Sequence, residues 1–247
     1  LSTTKLIEIE FKSICTLISY AQLSRLSLHN ASLTKPSDLK ALGKAVSKST
    51  YLVDLDLSGN ILRTGGLREV VQFVSKHPSI LSLNLSDCSL SDSSPIVDLL
   101  RPNMKPQELP RKTQNYLATL SQDDPLITAL KQHTTGACNT SLDTLILHSN
   151  PDLEVDPIIE ALEGNTRLHV LDMSSCLPMA IRYLEKMPPQ LQSLKLCVDD
   201  QGFTFEDFHN HFTQLHELDL TNVNPGYERP NKLHIFTTLH SLLLSDI

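Results

Sequence analysis

Tryptophan is absent from these 247 residues, and aromatic side chains make up only 5% of them. Glycine occurs 8 times and proline 14 times, which excludes collagen-like and low-complexity chains. No stretch approaches 18 consecutive apolar residues, so no segment reads as a membrane-spanning helix. The opening residues, Leu1 to Lys5, carry neither an initiator methionine nor a signal-peptide layout, and point to a piece of a longer protein. What the chain has in excess is leucine, 45 residues of it.

Charge of one sign is also missing in concentrated form. Lys and Arg number 21 and Asp and Glu 28, giving a net charge of −7 with no basic block. A mildly acidic chain has no electrostatic footprint for duplex nucleic acid or an anionic membrane. The five cysteines (Cys15, Cys88, Cys138, Cys176 and Cys197) are odd in number, widely spaced and never paired as C-x-x-C. Three N-x-S/T triplets occur, at Asn30, Asn84 and Asn139, but such triplets arise readily by chance. Reduced thiols in a cytoplasmic setting are the expectation.

The leucines recur in a pattern. From Leu23 the chain reads L-S-R-L-S-L-H-N-A-S-L, from Leu52 L-V-D-L-D-L-S-G-N-I-L, and from Ile80 I-L-S-L-N-L-S-D-C-S-L. Further copies begin at Leu142, Leu168, Leu191, Leu215 and Leu239. In each, x-L-x-L-x predicts a short strand with leucines on one face and the intervening residues on the other. Asn60, Cys88, Asn150, Cys176 and Asp199 follow the strands at the position where a small polar side chain can bond the backbone of the turn; Ala31 and Val223 depart from this, so those turns need another partner. The copies resemble the leucine-rich-repeat consensus L-x-x-L-x-L-x-x-[N/C]-x-L over residues 23–247, apart from one interruption.

The return segments change along the chain. The first anchors are 29 and 28 residues apart, with room for a full helix. Pro36, Ser37 and Asp38 mark a helix start before Leu39, Leu42 and Val46, and Leu67, Val70, Val71 and Val74 form an amphipathic stripe. This resembles the ribonuclease-inhibitor-like class, which includes sensor domains of intracellular immune receptors and Ran GTPase-activating proteins. The resemblance implies an α/β right-handed solenoid, an arc with a concave parallel sheet and convex helices. Later anchors are 23–26 residues apart, which predicts shorter helices, one opening at Asp156-Pro157 with Ile158, Ile159 and Leu162 inward and another marked by Phe205, Phe208 and Phe212, and a flatter C-terminal half.

Between the anchors at 80 and 142 lie two periods without a clear copy. A hidden repeat from Leu117 would bury Gln122 in place of a leucine, which is costly unless it is paired. An insertion over about 95–135 is preferred, beginning with a helix at Pro95–Leu100 and giving about eight to nine repeats in one domain. Arg101, Lys105, Arg111 and Lys112 make it locally basic, and it reads either as a partner contact or as a solvated excursion of the kind solenoids tolerate. Residues 1–22 read as a cap: an edge strand at Leu6, Ile7 and Ile9, then a helix carrying Ile14, Leu17 and Ile18.

No catalytic or metal constellation stands out, so no enzyme activity, cofactor or metal is expected. His209 and His211 are two apart and diverge on a helix, and His216 and His240 occupy equivalent positions of neighbouring repeats. His148 and Cys197 lie two repeats apart, roughly 10 Å at the strand spacing, too far for a nucleophile–base pair. Gly65-Gly66 lacks the flanks of a phosphate loop. The candidate partner-binding residues are those of the concave face: Arg25, His29, Asp54, Asp56, Asn84, Asp87, His148, Asp172, Lys195, Glu217 and Asp219. They suit a protein partner with a basic or polar surface, or else simply keep an open sheet soluble. A protein-interaction module is the leading expectation; the alternatives are a pathogen effector acting inside a host cytoplasm and a small-GTPase-regulating module.

Overall fold

Every repeat must hide its leucines and satisfy the backbone of the turn after them, and neighbouring repeats do both for each other. The computed structural model describes residues 8–21, 23–101, 142–198, 211–221 and 239–245. Eight strands form one parallel sheet in chain order. They are β1 (Arg25–Ser27), β2 (Asp54–Asp56), β3 (Ser82–Asn84), β4 (Thr144–Ile146), β5 (Val170–Met173), β6 (Ser193–Cys197), β7 (Glu217–Thr221) and β8 (Ser241–Ser245). The register sets leucine beside leucine, Leu26 on Leu55 on Leu83 on Leu145 on Leu171 and onward to Leu242. Ser82 of β3 pairs directly with Thr144 of β4, so the sheet runs without a gap past the interruption.

Helices return the chain behind the sheet. α2 (Pro36–Val46) starts on a proline that has no N–H to lose, and buries Leu39, Leu42 and Val46. α3 (Arg63–Val74) buries Leu67, Val70, Val71 and Val74, the stripe expected from the sequence. Two glycines set how closely these helices approach: a Cβ on Gly43 would lie 2.6 Å from Phe73 Cδ1, and one on Gly66 2.8 Å from Leu39 Cδ1. α4 (Ser94–Leu100) packs between α3 and α5 (Asp156–Ala161), so the segment assigned to the start of the insertion serves as the convex helix of the third repeat. The next return is only a 3-10 turn over Ile181–Lys186, in keeping with the shorter later period. The helix marked by Phe205 and Phe208 falls largely outside the described residues, though Phe212 is buried.

The N-terminal segment differs from its sequence reading. α1 (Glu8–Tyr20) is helical through Ile9, which was expected in an edge strand; Leu6 and Ile7 lie outside the described residues. Its inward side is Phe11, Ile14, Cys15 and Ile18, spaced i, i+3, i+4, i+7, and the helix packs on α2. Leu17 falls off that stripe and is 66% exposed.

The buried turns are linked by a side-chain ladder. Asn60 Nδ2 donates to Leu57 O of its own repeat at 2.7 Å and to Leu28 O of the preceding one at 2.9 Å, while its Oδ1 accepts the Leu33 N–H at 2.9 Å. The turn at Ala31, which lacks a ladder side chain, is thus served from the next repeat. Asn150 does the same for Leu85, Cys88, Leu90 and Leu147. Cys88 and Cys176 each donate one longer S–H bond to the preceding repeat, to Leu57 O and Leu147 O, both at 3.3 Å. Burial pushes these thiols up to about 12 and about 11, so they stay protonated donors and not nucleophiles.

An asparagine rung therefore holds more buried backbone than a cysteine rung. Asn60→Ala removes the side-chain partner of the Leu28 carbonyl and the Leu33 N–H and leaves the Leu57 carbonyl only the longer Cys88 thiol bond; it is expected to cost roughly 3 kcal/mol in urea unfolding, against roughly 1 kcal/mol for Cys88→Ala. Equal losses for the two variants would contradict the ladder's unequal weighting.

Candidate functional site

The alternation that buries the leucines presents three rows of side chains on the open face. In register, the central row runs Ser27, Asp56, Asn84, Ile146, Asp172, Lys195, Asp219 and Leu243. Beside it lies Arg25, Asp54, Ser82, Thr144, Val170, Ser193, Glu217 and Ser241. A third row, just past the strands, begins His29, Ser58, Ser86, His148 and Ser174. The polar concave residues nominated from sequence fall in these rows, except Asp87, which follows Ser86 of the third row. Cys197 continues this third row in register with Thr221 and is only 6% exposed.

Two matching His–Ser–Asp hydrogen-bond relays organise this face. Ser58 donates both its N–H (3.0 Å) and its hydroxyl (2.5 Å) to Asp56 Oδ1, and Ser27 donates to Asp56 Oδ2 at 2.7 Å. His29 Nδ1 lies 2.8 Å from the Ser58 hydroxyl oxygen. Three strands along the sheet a matching set begins: Ser174 donates its N–H (3.0 Å) and hydroxyl (2.6 Å) to Asp172 Oδ1, with His148 Nδ1 2.8 Å from Ser174 Oγ. Asn84 and Ser86 repeat the turn contact, with the amide oxygen replacing the carboxylate. The relays escaped the sequence reading. Their signal is a D/N-L/M-S triplet with a histidine one repeat earlier at the position of the serine.

Proton counting gives the relay its direction. An ionised carboxylate only accepts, so the serine proton goes to Asp56 or Asp172 and the imidazole must donate from Nδ1. This is the reverse of an activated nucleophile, whose base takes the serine proton. Among the described residues, no three His, Cys, Asp or Glu side chains converge as a metal-holding group, and no helix is long and apolar enough to cross a membrane.

The charges are unevenly satisfied. Burial pushes the Asp56 carboxyl up, but hydrogen bonds from Ser58 and Ser27 outweigh it and hold the group below its ordinary value. Lys195 Nζ lies 3.0 Å from Glu217 Oε1, and Ser193 donates to Glu217 Oε2 at 2.7 Å. The bonds from Ser193 and Lys195 lower Glu217, and the bond to Glu217 raises Lys195. In the sequence these two read as separate contact residues; the register makes them a diagonal pair. Among the described residues, the buried Oδ1 of Asp219 has no hydrogen-bond partner; Thr221 Oγ1 donates at 3.4 Å to Leu196 O. Burial raises Asp219; Asp172 and Glu217 add to this and Lys195 opposes it. Arg25 and Asp54 approach only to 3.9 Å at the surface, a weak pair in water. Asp87 and His148 are exposed. Arg101 is exposed at the end of α4, whereas Lys105, Arg111 and Lys112 lie outside the described residues.

No protein-family model matches the chain. Over 91 residues, 36% of the chain, it is 30% identical to leucine-rich repeat-containing protein 73 of Rattus norvegicus and equally to that of Homo sapiens. That match spans 29% of those relatives' length. Among solved structures, the tropomodulin C-terminal domain of Caenorhabditis elegans is 12% identical, with 72% of this chain and 88% of that chain covered at a TM-score of 0.46. An internalin of Listeria monocytogenes is 16% identical, with 98% of this chain and 70% of that chain covered at a TM-score of 0.40.

Ser58→Ala removes one donor to Asp56 and should move that carboxyl upward towards its ordinary value in a side-chain carboxyl NMR titration. Because the folded value is depressed, the stability linked to it is present above the unfolded value and lost as pH falls through the folded one. The variant should therefore lose stability at pH 6 and converge on the native protein in acid. An unmoved Asp56 titration would contradict the relay.

Proposed function

The chain is a leucine-rich-repeat protein, and from that premise we propose that it is a non-catalytic module that binds another protein through its concave sheet. The observation that carries this reading is the open parallel face itself. Its alternate residues are half-exposed and mostly polar, and no described element covers them. Asp54, Asp87, Asp172, Glu217 and Asp219 give it an acidic character suited to a partner with a basic or polar surface. Arg25, His29, Asn84, His148 and Lys195 add donors and acceptors between them. Asp56 acts mainly inside the protein, as the acceptor at the centre of its relay.

Two further elements belong to this proposal. The segment around Arg101, Lys105, Arg111 and Lys112 is a second contact of opposite charge, continuing from the exposed end of α4. A cytoplasmic, reducing setting fits the thiols of Cys88 and Cys176, since their bonds to the turn carbonyls require S–H groups.

Isolating the partner with the intact protein and titrating it by calorimetry tests the reading. Asp54→Lys/Asp87→Lys should weaken binding at least ten-fold, about 1.4 kcal/mol, and Asp172→Asn/Glu217→Gln, which keep the oxygen acceptors that Ser174 and Ser193 use, should also weaken it, with the thermal unfolding midpoint little changed. Native affinity in both variants would contradict the concave-face reading, and deletion of residues 102–135 would then locate the contact.

A further inference from the structure

We propose that the cleft between α2 and α3 on the convex side is a second binding site, which takes a short acidic segment of a protein with one apolar side chain at its centre. This site stands apart from the concave face and does not depend on what binds there. The cleft has a volume of about 280 Å³. Gly66 faces Leu39 and Gly43 faces Phe73, so the two helices run in the same direction. Each gives the cleft one face at helical spacing, Lys40, Gly43 and Lys44 from α2 and Glu69 and Phe73 from α3. The Phe73 ring lies against the bare backbone of Gly43 and is only half-buried, which leaves an apolar floor. His77 closes one end and is 5% exposed. Its Nε2 lies 3.2 Å from Val46 O and 3.1 Å from Ser49 O. Carbonyls only accept, so Nε2 carries the proton and ties the end of α2 to the loop after α3. The two walls are thereby fixed before a ligand arrives.

On a chain of net charge −7 this cleft is basic. The exposed Lys40, Lys44 and Lys76 line it against Glu69 alone. Lys48 continues the row, so three lysines follow one another at i, i+4 and i+8. Like charges at that spacing destabilise a helix. Among the described residues no carboxylate forms an ion pair with any of these four lysines to offset it. Glu69 lies one turn before Phe73, level with Lys40, whereas Lys44 and Lys76 flank the other end. Carboxylates of a ligand therefore settle at Lys44 and Lys76, away from Glu69.

Size and helix direction choose among anions. Sites for drug-sized ligands and cofactors run to roughly 300–1,000 Å³, so this cleft suits a side chain and its flanking backbone better than a nucleotide. The backbone N–H groups that cradle phosphates sit at helix N-termini, and the basic end of this cleft lies at the C-terminal ends of α2 and α3. Lysine ammonium groups are separate point charges that match carboxylates spread along a segment. An apolar side chain can lie on the Phe73 ring while the carboxylates beside it meet Lys44 and Lys76.

The test uses the whole chain and fluorescein-labelled Gly-Asp-Glu-Phe-Asp-Glu-Gly, followed by anisotropy at low salt. The peptide should bind, and Lys44→Glu/Lys76→Glu should weaken it at least ten-fold. Lys35→Glu/Arg167→Glu makes the same change of net charge at exposed positions outside the cleft, and should stay within two-fold of the native affinity. Replacing the peptide's Phe by Ser should cost at least five-fold on the native protein, a comparison that needs no variant to fold. Absence of binding by the native chain would overturn the proposal. Equal losses in the two double variants, or a Ser peptide that binds as well as the Phe peptide, would reduce it to a general attraction of polyanions and overturn it too. Displacement by ATP at lower concentration than by unlabelled peptide would assign the cleft to a nucleotide instead.

Discussion

Buried turns that cannot satisfy their own backbone are the constraint on which the rest of this structure depends. A single repeat of three to five strand residues hides neither its leucines nor the amides and carbonyls of the turn that follows. Asn60 and Asn150 supply those groups to their own turn and to the one before, and Cys88 and Cys176 do so more sparingly. The ladder ties repeats together at one edge while leucine stacking ties them through the middle. Stability is therefore a sum over neighbours, and the open face is free to vary.

That freedom is used unevenly. In the first three repeats the concave residues are mostly acceptors, arranged by serines that turn their protons inward onto Asp56 and Asn84. In the later repeats an internal Lys195–Glu217 pair divides the acidic strip, and Asp219 keeps an oxygen that no donor among the described residues reaches. The convex side follows another rule. Its helices shorten from α2 and α3 to α5 and then to a 3-10 turn as the period contracts, because the space behind each strand is set by the number of residues available to fill it.

Much of this is legible in the chain because it follows from periodicity. The leucines at the strand centres, the stripe of Leu67, Val70, Val71 and Val74, the proline at the start of α2 and the asparagine rungs each announce their role by local spacing. What local spacing cannot carry is a contact set by register. His29 and Ser58 are 29 residues apart, and Lys195 and Glu217 meet only because β6 and β7 pair with a particular offset. Period ambiguity misplaces the N-terminus: Leu6, Ile7 and Ile9 resemble a strand, yet the helical stripe of Phe11, Ile14, Cys15 and Ile18 prevails from Glu8 onward and leaves Leu17 outside. Cys197 sits at a surface position by strand alternation and is nevertheless buried, whereas Thr221, its register partner on the equally long β7, is only half-buried.

If the concave face is the working surface, its carboxylates must disappear from solvent when a partner binds. Carboxyl footprinting by carbodiimide coupling and mass spectrometry measures this on the intact protein with and without its partner. Asp54, Asp87 and Glu217 should lose reactivity in the complex, while Glu69 of α3 and Glu160 of α5, on the convex side, keep theirs. Protection at Glu69 and Glu160 with the concave carboxylates unchanged would contradict it.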